Sequence, residues 1–506
     1  MNRRDFLLGL SAVVLNANQP SVRQAADNSH SLEFMSALEA AAAIRAKKIS
    51  SVELTRLVFD RIDRYNPKLN AFVYQLREDA LAQAAKADNT RGQTLGVFHG
   101  VPFFVKEAFA VAGYPCTWGL PAFRDAKARQ NSAVVDRLLG AGAILIGGTN
   151  VPANLEDWQS FNEIYGTTNN PWDLKRTPGG SSGGTAAALA AGLGYLSVGS
   201  DIGGSIRVPA HFCGIYGHKP TLDLVDLAGH APGGNSGPRG FSTLLAVAGP
   251  MARSAEDLLA ALKILGGAHG WEAKAWKWDL PEPRALRLRD FHVGYVFDDP
   301  LAPPTAEVRR VLEQTVGALS RAGAQMKPGW PPSFKPAELL DNYLFMLEAF
   351  FASVMSPQEL ERRQKKLEVL SAGASGSSFV AWQRQNFRRL AFREQWQAYF
   401  QGVDVFLSPV SFCVAFPHDH SLPQDKRVIT TEDGPRRYMD MINWISIPTL
   451  TGCPAAVAPV GLTKGGLPVG IQIMGPYWED ATPLTFAALL AKEIGGFKPP
   501  PGYSGA

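Results

Sequence analysis

The chain has only four cysteines in 506 residues, Cys116, Cys213, Cys413 and Cys453, far apart and with no Cys-x-x-Cys pair. That spacing excludes a disulfide framework and a thiolate zinc site, and leaves buried free thiols as the expected state. Long runs of lysine or arginine are also missing, and the formal net charge is only +4, so nucleic acid is not indicated as a partner. The apolar stretch near the start, residues 6–15, is about ten residues long against the roughly twenty that span a bilayer, so no stable membrane anchor is expected. The glycine-rich "GGSSGGT" beginning at Gly179 lacks the Gly-Lys-Ser/Thr ending that puts a lysine on phosphates, which argues against nucleotide binding. His418-Asp419-His420 has no second ligand group at metal-binding spacing and reads as a solvated loop. No metal or organic cofactor is expected.

What is present is an ordinary globular composition, 46% hydrophobic and 19% charged, ample for a large buried core. The opening "MNRRDFLLGLSAVVLNANQ" places paired arginines, Arg3 and Arg4, ahead of the short apolar run. It resembles a twin-arginine export signal, so residues 1–30 are expected to be a leader and the protein to be periplasmic, a cytoplasmic location being the alternative. From residue 31 to 88 apolar residues recur three and four apart, predicting helices with N-caps at Ser36 and Ser51. From Gly96 the texture changes to short apolar runs punctuated by glycine, such as "GVPFFVKEAF", "GAILIGGTN" and "GLGYLSVGSD", alternating with helical segments. Alternation of this kind predicts an α/β fold, a large mixed, twisted sheet covered by helices on both faces. Residues 331–440 read as mostly helical and polar, and "TGCPAAVAPVG" and "GLPVGIQIMGP" as late strands of the same sheet. No internal repeat or rich linker divides the chain, so residues 31–500 are expected to form one domain.

Two serines compete as nucleophile. Ser181, in Gly-Gly-Ser-Ser-Gly, fits the G-x-S-x-G elbow, but the residues before it, "NNPWDLKRTPGG", are turn formers and not the strand an elbow requires. Ser205 follows Ile202, Gly203 and Gly204, where successive N–H groups can converge on a tetrahedral oxyanion. No histidine suggests itself as the base. Lys106, at the end of "GVPFFVK", is a candidate, because burial disfavours an ammonium. A structural lysine paired with Glu107 is an equal reading of that local charge pattern.

Taken together, "GVPFFVKEAFAVAG", "GGTNVPANLEDW", "TPGGSSGGTAAALAAG", "GSDIGGSIRVPAHFCGIYGHKPT" and the late strand segments resemble the amidase signature family, from about residue 32 to 491. The resemblance implies a Ser–cis-Ser–Lys amidohydrolase. On this chain Ser205 would form the acyl-enzyme, Ser181 would be the middle member after a cis bond from Gly180, and Lys106 the base. Ile202, Gly203 and Gly204, with Ser205, would supply the oxyanion hole. Asp201 and Arg207 would brace that turn. The family often has aspartate after the lysine, where this chain has Glu107. Leu155, Trp158, Phe161 and Trp444, with residues of 331–440, are candidate pocket walls favouring an aryl or hydrophobic amide. The expected partner is a small-molecule amide, with a homodimer left open. The rival readings are an amidotransferase subunit of the same fold, acting on glutamine and a charged tRNA, and a silent binding scaffold.

Overall fold

The computed structural model describes residues 31–90, 95–234, 242–268, 270–353, 360–361 and 379–504; the expected leader lies outside them. An eleven-stranded sheet organises these residues. Across it the strands run Phe72–Gln75, Ile144–Thr149, Pro102–Lys106, Leu196–Asp201, Val247–Ala252, Tyr216–Lys219, Ala455–Leu462, Pro468–Met474, Val405–Pro409, His292–Tyr295 and Gln325–Pro328. Parallel and antiparallel pairs are mixed. The strands Pro102–Lys106, Ile144–Thr149, Leu196–Asp201, Val247–Ala252 and Pro468–Met474 are buried at every residue, as strands must be when helices cover both faces of a sheet. Among the covering helices, Arg207–Cys213 packs on Ala455–Leu462 and Pro468–Met474, and Ala481–Ile494 packs on Ala455–Leu462.

The N-terminal helices begin where side chains replace missing backbone acceptors. Ser36 with Glu39, and Ser50 with Glu53, form reciprocal capping boxes at Ala37–Arg45 and Ser51–Leu69. The second cap is therefore Ser50 and not Ser51; Ser51 is already helical, and its hydroxyl donates to the Gly100 carbonyl at 2.7 Å. The stretch around Tyr74 is not helical as its composition suggested. It forms the edge strand Phe72–Gln75, antiparallel to Ile144–Thr149, and the helix starts only at Arg77. Residues 331–440 also depart from a mostly helical reading. Helices Pro336–Ala352 and Phe379–Tyr399 are followed by the sheet strand Val405–Pro409 and the hairpin Val428–Thr431/Gly434–Arg437. Pairing with two other sheet strands overrides local composition there.

Candidate active site

The site lies at the carboxyl ends of two parallel neighbours. Pro102–Lys106 ends at Lys106, and Leu196–Asp201 ends in the turn Ile202–Ser205; the two strands run side by side, with Val105 opposite Val198. Lys106 is fully buried in the sheet interior, not at an edge. Its Nζ is 2.6 Å from Ser181 Oγ and 3.0 Å from Ser200 Oγ. Burial pushes the amine down from 10.5 to about 7, with Asp201 opposing by its charge. A lysine so placed is about half neutral near pH 7, where an ordinary lysine is almost wholly charged, and its neutral form carries a lone pair.

The structural pairing of Lys106 with Glu107 does not occur. Glu107 points the other way, accepting the amides of Thr117 at 2.6 Å and Trp118 at 3.0 Å and the Tyr165 hydroxyl at 3.1 Å. Its role is to anchor the 117–118 loop. Burial raises its carboxyl to about 7 in spite of these bonds.

Ser181 follows a cis peptide bond from Gly180, and Ser182 separates it from the buried helix Gly183–Ala190. Glycine is required in that helix, since a Cβ at Gly184 would lie 2.5 Å from the Asn150 nitrogen. The Ser182 amide donates to the Ser205 carbonyl at 3.1 Å and so ties the two serine segments together.

The turn after Asp201 has every carbonyl fixed. Ile202 O accepts from the Tyr343 hydroxyl at 2.8 Å, Gly203 O from Trp158 Nε1 at 2.7 Å, and Gly204 O from the Val208 amide at 2.7 Å. In a trans peptide the following N–H points opposite to each carbonyl, so these bonds also aim the amides. Gly204 N–H is taken by Asp201 Oδ1 at 2.9 Å. The amides of Ile202, Gly203 and Ser205 make no hydrogen bond among the described residues. Gly204 has φ +83°, and a Cβ there would sit 3.0 Å from Ile445, so only glycine suits the turn.

Asp201 and Arg207 form a fully buried bidentate pair, with Nη2–Oδ1 at 2.8 Å and Nε–Oδ2 at 3.0 Å. Burial works to raise the Asp201 carboxyl, but Arg207 and the Ile206 amide hold it below the usual carboxylate range. Arg207 also reaches Ile445 O, Gln472 Oε1 and Thr449 Oγ1, each at 2.7–2.8 Å. The turn is thereby tied to the late helix Ile442–Thr451 and the strand Pro468–Met474.

Ser205 opens onto a cavity of about 600 Å³. Leu155, Trp158, Ile202 and Gly203 line it from the first half of the chain, and Leu347, Phe351, Met439 and Ile442 from the second. Two of the candidate walls lie elsewhere. Phe161 stacks on His420 with ring centroids 3.7 Å apart, and Trp444 donates to Ala302 O beside Trp330, away from this cavity. Both are aromatic residues absorbed by local packing, which composition does not distinguish from pocket walls. His418 pairs with Asn169; His211 bridges Cys413 O and the Gly470 amide; His218 pairs with Asp480. The sequence did not single out Ser200 or His230, and it pointed to Tyr343, Leu347 and Phe351 only through the 331–440 region as a whole. Ser200 alone had a legible signal, since it stands one residue before Asp201 at the end of the same strand.

The family model for Amidase matches residues 53–484. The chain belongs to the Amidase family. Its curated relatives include fatty-acid amide hydrolase 2-A of Danio rerio, 31% identical over 93% of this chain and 90% of the relative. Acylamidase of Rhodococcus erythropolis is 31% identical over 90% and 95% of the two chains. A glutamyl-tRNA(Gln) amidotransferase subunit of a Picosynechococcus strain is 30% identical over 85% and 92%. The solved structure of a bacterial aryl acylamidase, at 23% identity, shares the fold with a TM-score of 0.76 over 91% of this chain and 96% of that one. This amidase is an enzyme that hydrolyses carboxylic amides.

Proposed function

We propose that this amidase cleaves amides with a bulky apolar acyl or aryl part, through an acyl-enzyme on Ser205. The single observation that carries the chemistry is the buried Lys106 amine, 2.6 Å from Ser181 Oγ, at the strand end beside the Ser205 turn. Ser205 Oγ attacks the amide carbonyl carbon, and its proton moves by way of Ser181 to the neutral Lys106. The oxygen that becomes negative is held by the amides of Ile202, Gly203 and Ser205. Gly204 braces Asp201 and does not donate to the oxyanion. Collapse of the tetrahedral centre breaks the C–N bond while Ser181 passes a proton to the departing nitrogen, which is replenished from Lys106. Water then adds to the ester, gives its proton to the same relay, and the acid leaves with Ser205 restored.

The cavity supports the substrate class. Its described lining includes Leu155, Trp158, Leu347, Phe351, Met439 and Ile442 and holds no lysine or arginine to receive the α-carboxylate of glutamine. That favours an apolar amide over the glutaminase step of an amidotransferase subunit. The paired arginines of the opening sequence support export to the periplasm. A fluorophosphonate probe followed by intact mass tests the assignment. The adduct is expected on Ser205 and absent from Ser205→Ala, whereas Ser181→Ala retains slow labelling. An adduct mapped to Ser181, or an unlabelled wild type, refutes it.

A further inference from the structure

Beyond Ser181, the Lys106 amine has a second partner that the proton relay does not use. Ser200 Oγ lies 3.0 Å from Lys106 Nζ, and His230 Nε2 lies 2.9 Å from the same hydroxyl. Ser200 is fixed by the sheet, opposite Ala248, and is 5% exposed. The His230 ring is held between Phe109, with centroids 4.8 Å apart, and Trp118, at 4.9 Å. Trp118 is itself locked by its amide on Glu107 and its indole N–H on Ala108 O. A chain of contacts therefore runs from Glu107 through Trp118 and His230 to Ser200 and the base.

We propose that His230 is a positioning residue: by accepting the Ser200 hydroxyl proton it makes Ser200 an acceptor toward Lys106 and leaves the lysine lone pair free for Ser181. The inference rests on Lys106 being the base. A hydroxyl has one hydrogen to give. If Ser200 gives it to Lys106, the amine lone pair is occupied and cannot draw the proton from Ser181. If Ser200 gives it to His230, the amine must direct an N–H at Ser200, and its lone pair turns to Ser181.

The tautomer of His230 decides between the two. Burial, with the charge of Lys106 adding to it, drives the imidazole down to about 3, so the ring is neutral and one nitrogen is protonated. Nε2 is the nitrogen at Ser200, 2.9 Å from its hydroxyl, and a neutral ring accepts there only with its hydrogen on Nδ1. The relay calls for that tautomer: Lys106 spends its lone pair on Ser181, so an N–H faces Ser200 and the Ser200 hydrogen is left for Nε2. The groups that face Lys106 are Ser181, Ser200, the Asp201 charge and His230; Glu107 is turned away.

The test compares wild type with His230→Phe, Ser200→Ala, the double variant, His230→Gln and Lys106→Ala, using a medium-chain acyl para-nitroanilide across pH. His230→Phe is expected to lower kcat roughly ten- to hundredfold with KM unchanged, as loss of one buried hydrogen bond at the base predicts. The acid limb of kcat/KM should also move to lower pH, because a released Ser200 hydroxyl donating to the amine stabilises its neutral form. On the Ser200→Ala background the Phe substitution should add nothing, and His230→Gln, which keeps an acceptor, should recover much of the loss. A purely structural role would lower the melting temperature without moving the limb. Should His230→Phe not fold, His230→Asn, too short to reach Ser200, takes its place. Wild-type kcat with an unmoved limb, or full additivity in the double variant, overturns the proposal while Lys106→Ala is inactive. Activity surviving in Lys106→Ala overturns the base assignment itself, and this proposal with it.

Discussion

Replacing Lys106 by methionine should remove activity and make the protein more stable, and the gain should depend on pH in a specific way. The fully buried amine titrates at about 7 in the fold against 10.5 for an ordinary lysine. Holding its charged form in the fold therefore costs about 5 kcal/mol wherever it is protonated in both states. Methionine has similar length and no charge to desolvate, but it forfeits the contacts with Ser181 and Ser200, about 1 kcal/mol each. The net gain for Lys106→Met is about 3 kcal/mol below pH ~7. Between about pH 7 and 10.5 the unfolded wild type binds the extra proton, so wild-type stability climbs with pH by about 1.4 kcal/mol per pH unit. The advantage of the variant should accordingly vanish near pH ~9. Urea unfolding of both proteins at about pH 6, 7.5 and 9, followed by tryptophan fluorescence, measures this, since all other titrating groups are shared. The same depressed value makes wild-type kcat/KM fall about tenfold per pH unit below pH ~7. A Lys106→Met protein less stable than wild type near pH ~6, or a stability difference that ignores pH, would refute the picture of a desolvated neutral base.

Two further outcomes follow from other parts of the site. Arg207→Leu strands the buried Asp201 carboxylate and should cost about 3–5 kcal/mol, read by thermal or urea unfolding, with Asp201→Asn in the same chain recovering part of it. Leu347→Trp narrows the apolar cavity beside Ser205. KM for long-chain acyl anilides should rise at least about tenfold while acetanilide turnover is kept; equal effects on both would show that the acyl group does not occupy this cavity.

Much of the α/β architecture was legible because buried strands announce themselves. Short apolar runs such as "PFFV" and "AAVA", set among glycine and proline, fit strands of a sheet covered on both faces. The capping serines were legible to within one residue, because the Ser-x-x-Glu spacing recurs at Ser36 and Ser50. Where the reading went astray, long-range pairing was responsible. The segment at Tyr74 has helical composition, yet Ile144–Thr149 offers it backbone partners, and Val405–Pro409 is drawn into the sheet between Pro468–Met474 and His292–Tyr295. Phe161 and Trp444 show the same limit for the pocket: an aromatic side chain does not disclose which neighbour it will stack on.

The sequence by itself determined which chemistry was available: a lysine closing an apolar strand, and two serines set among glycines where the backbone can come close. Tertiary structure alone decided how those groups act. It turned Glu107 away from Lys106 and set the amine against Ser181 and Ser200. It brought Tyr343, Leu347 and Phe351 from a distant helix over the Ser205 turn. The reason is physical. Residue type and spacing fix local backbone preference and the hydrogen bonds a group is able to make. A lone pair's direction, an amide's orientation and the dryness of an amine depend on partners 75, 94 and 141 residues away along the chain, and only the packed chain supplies them.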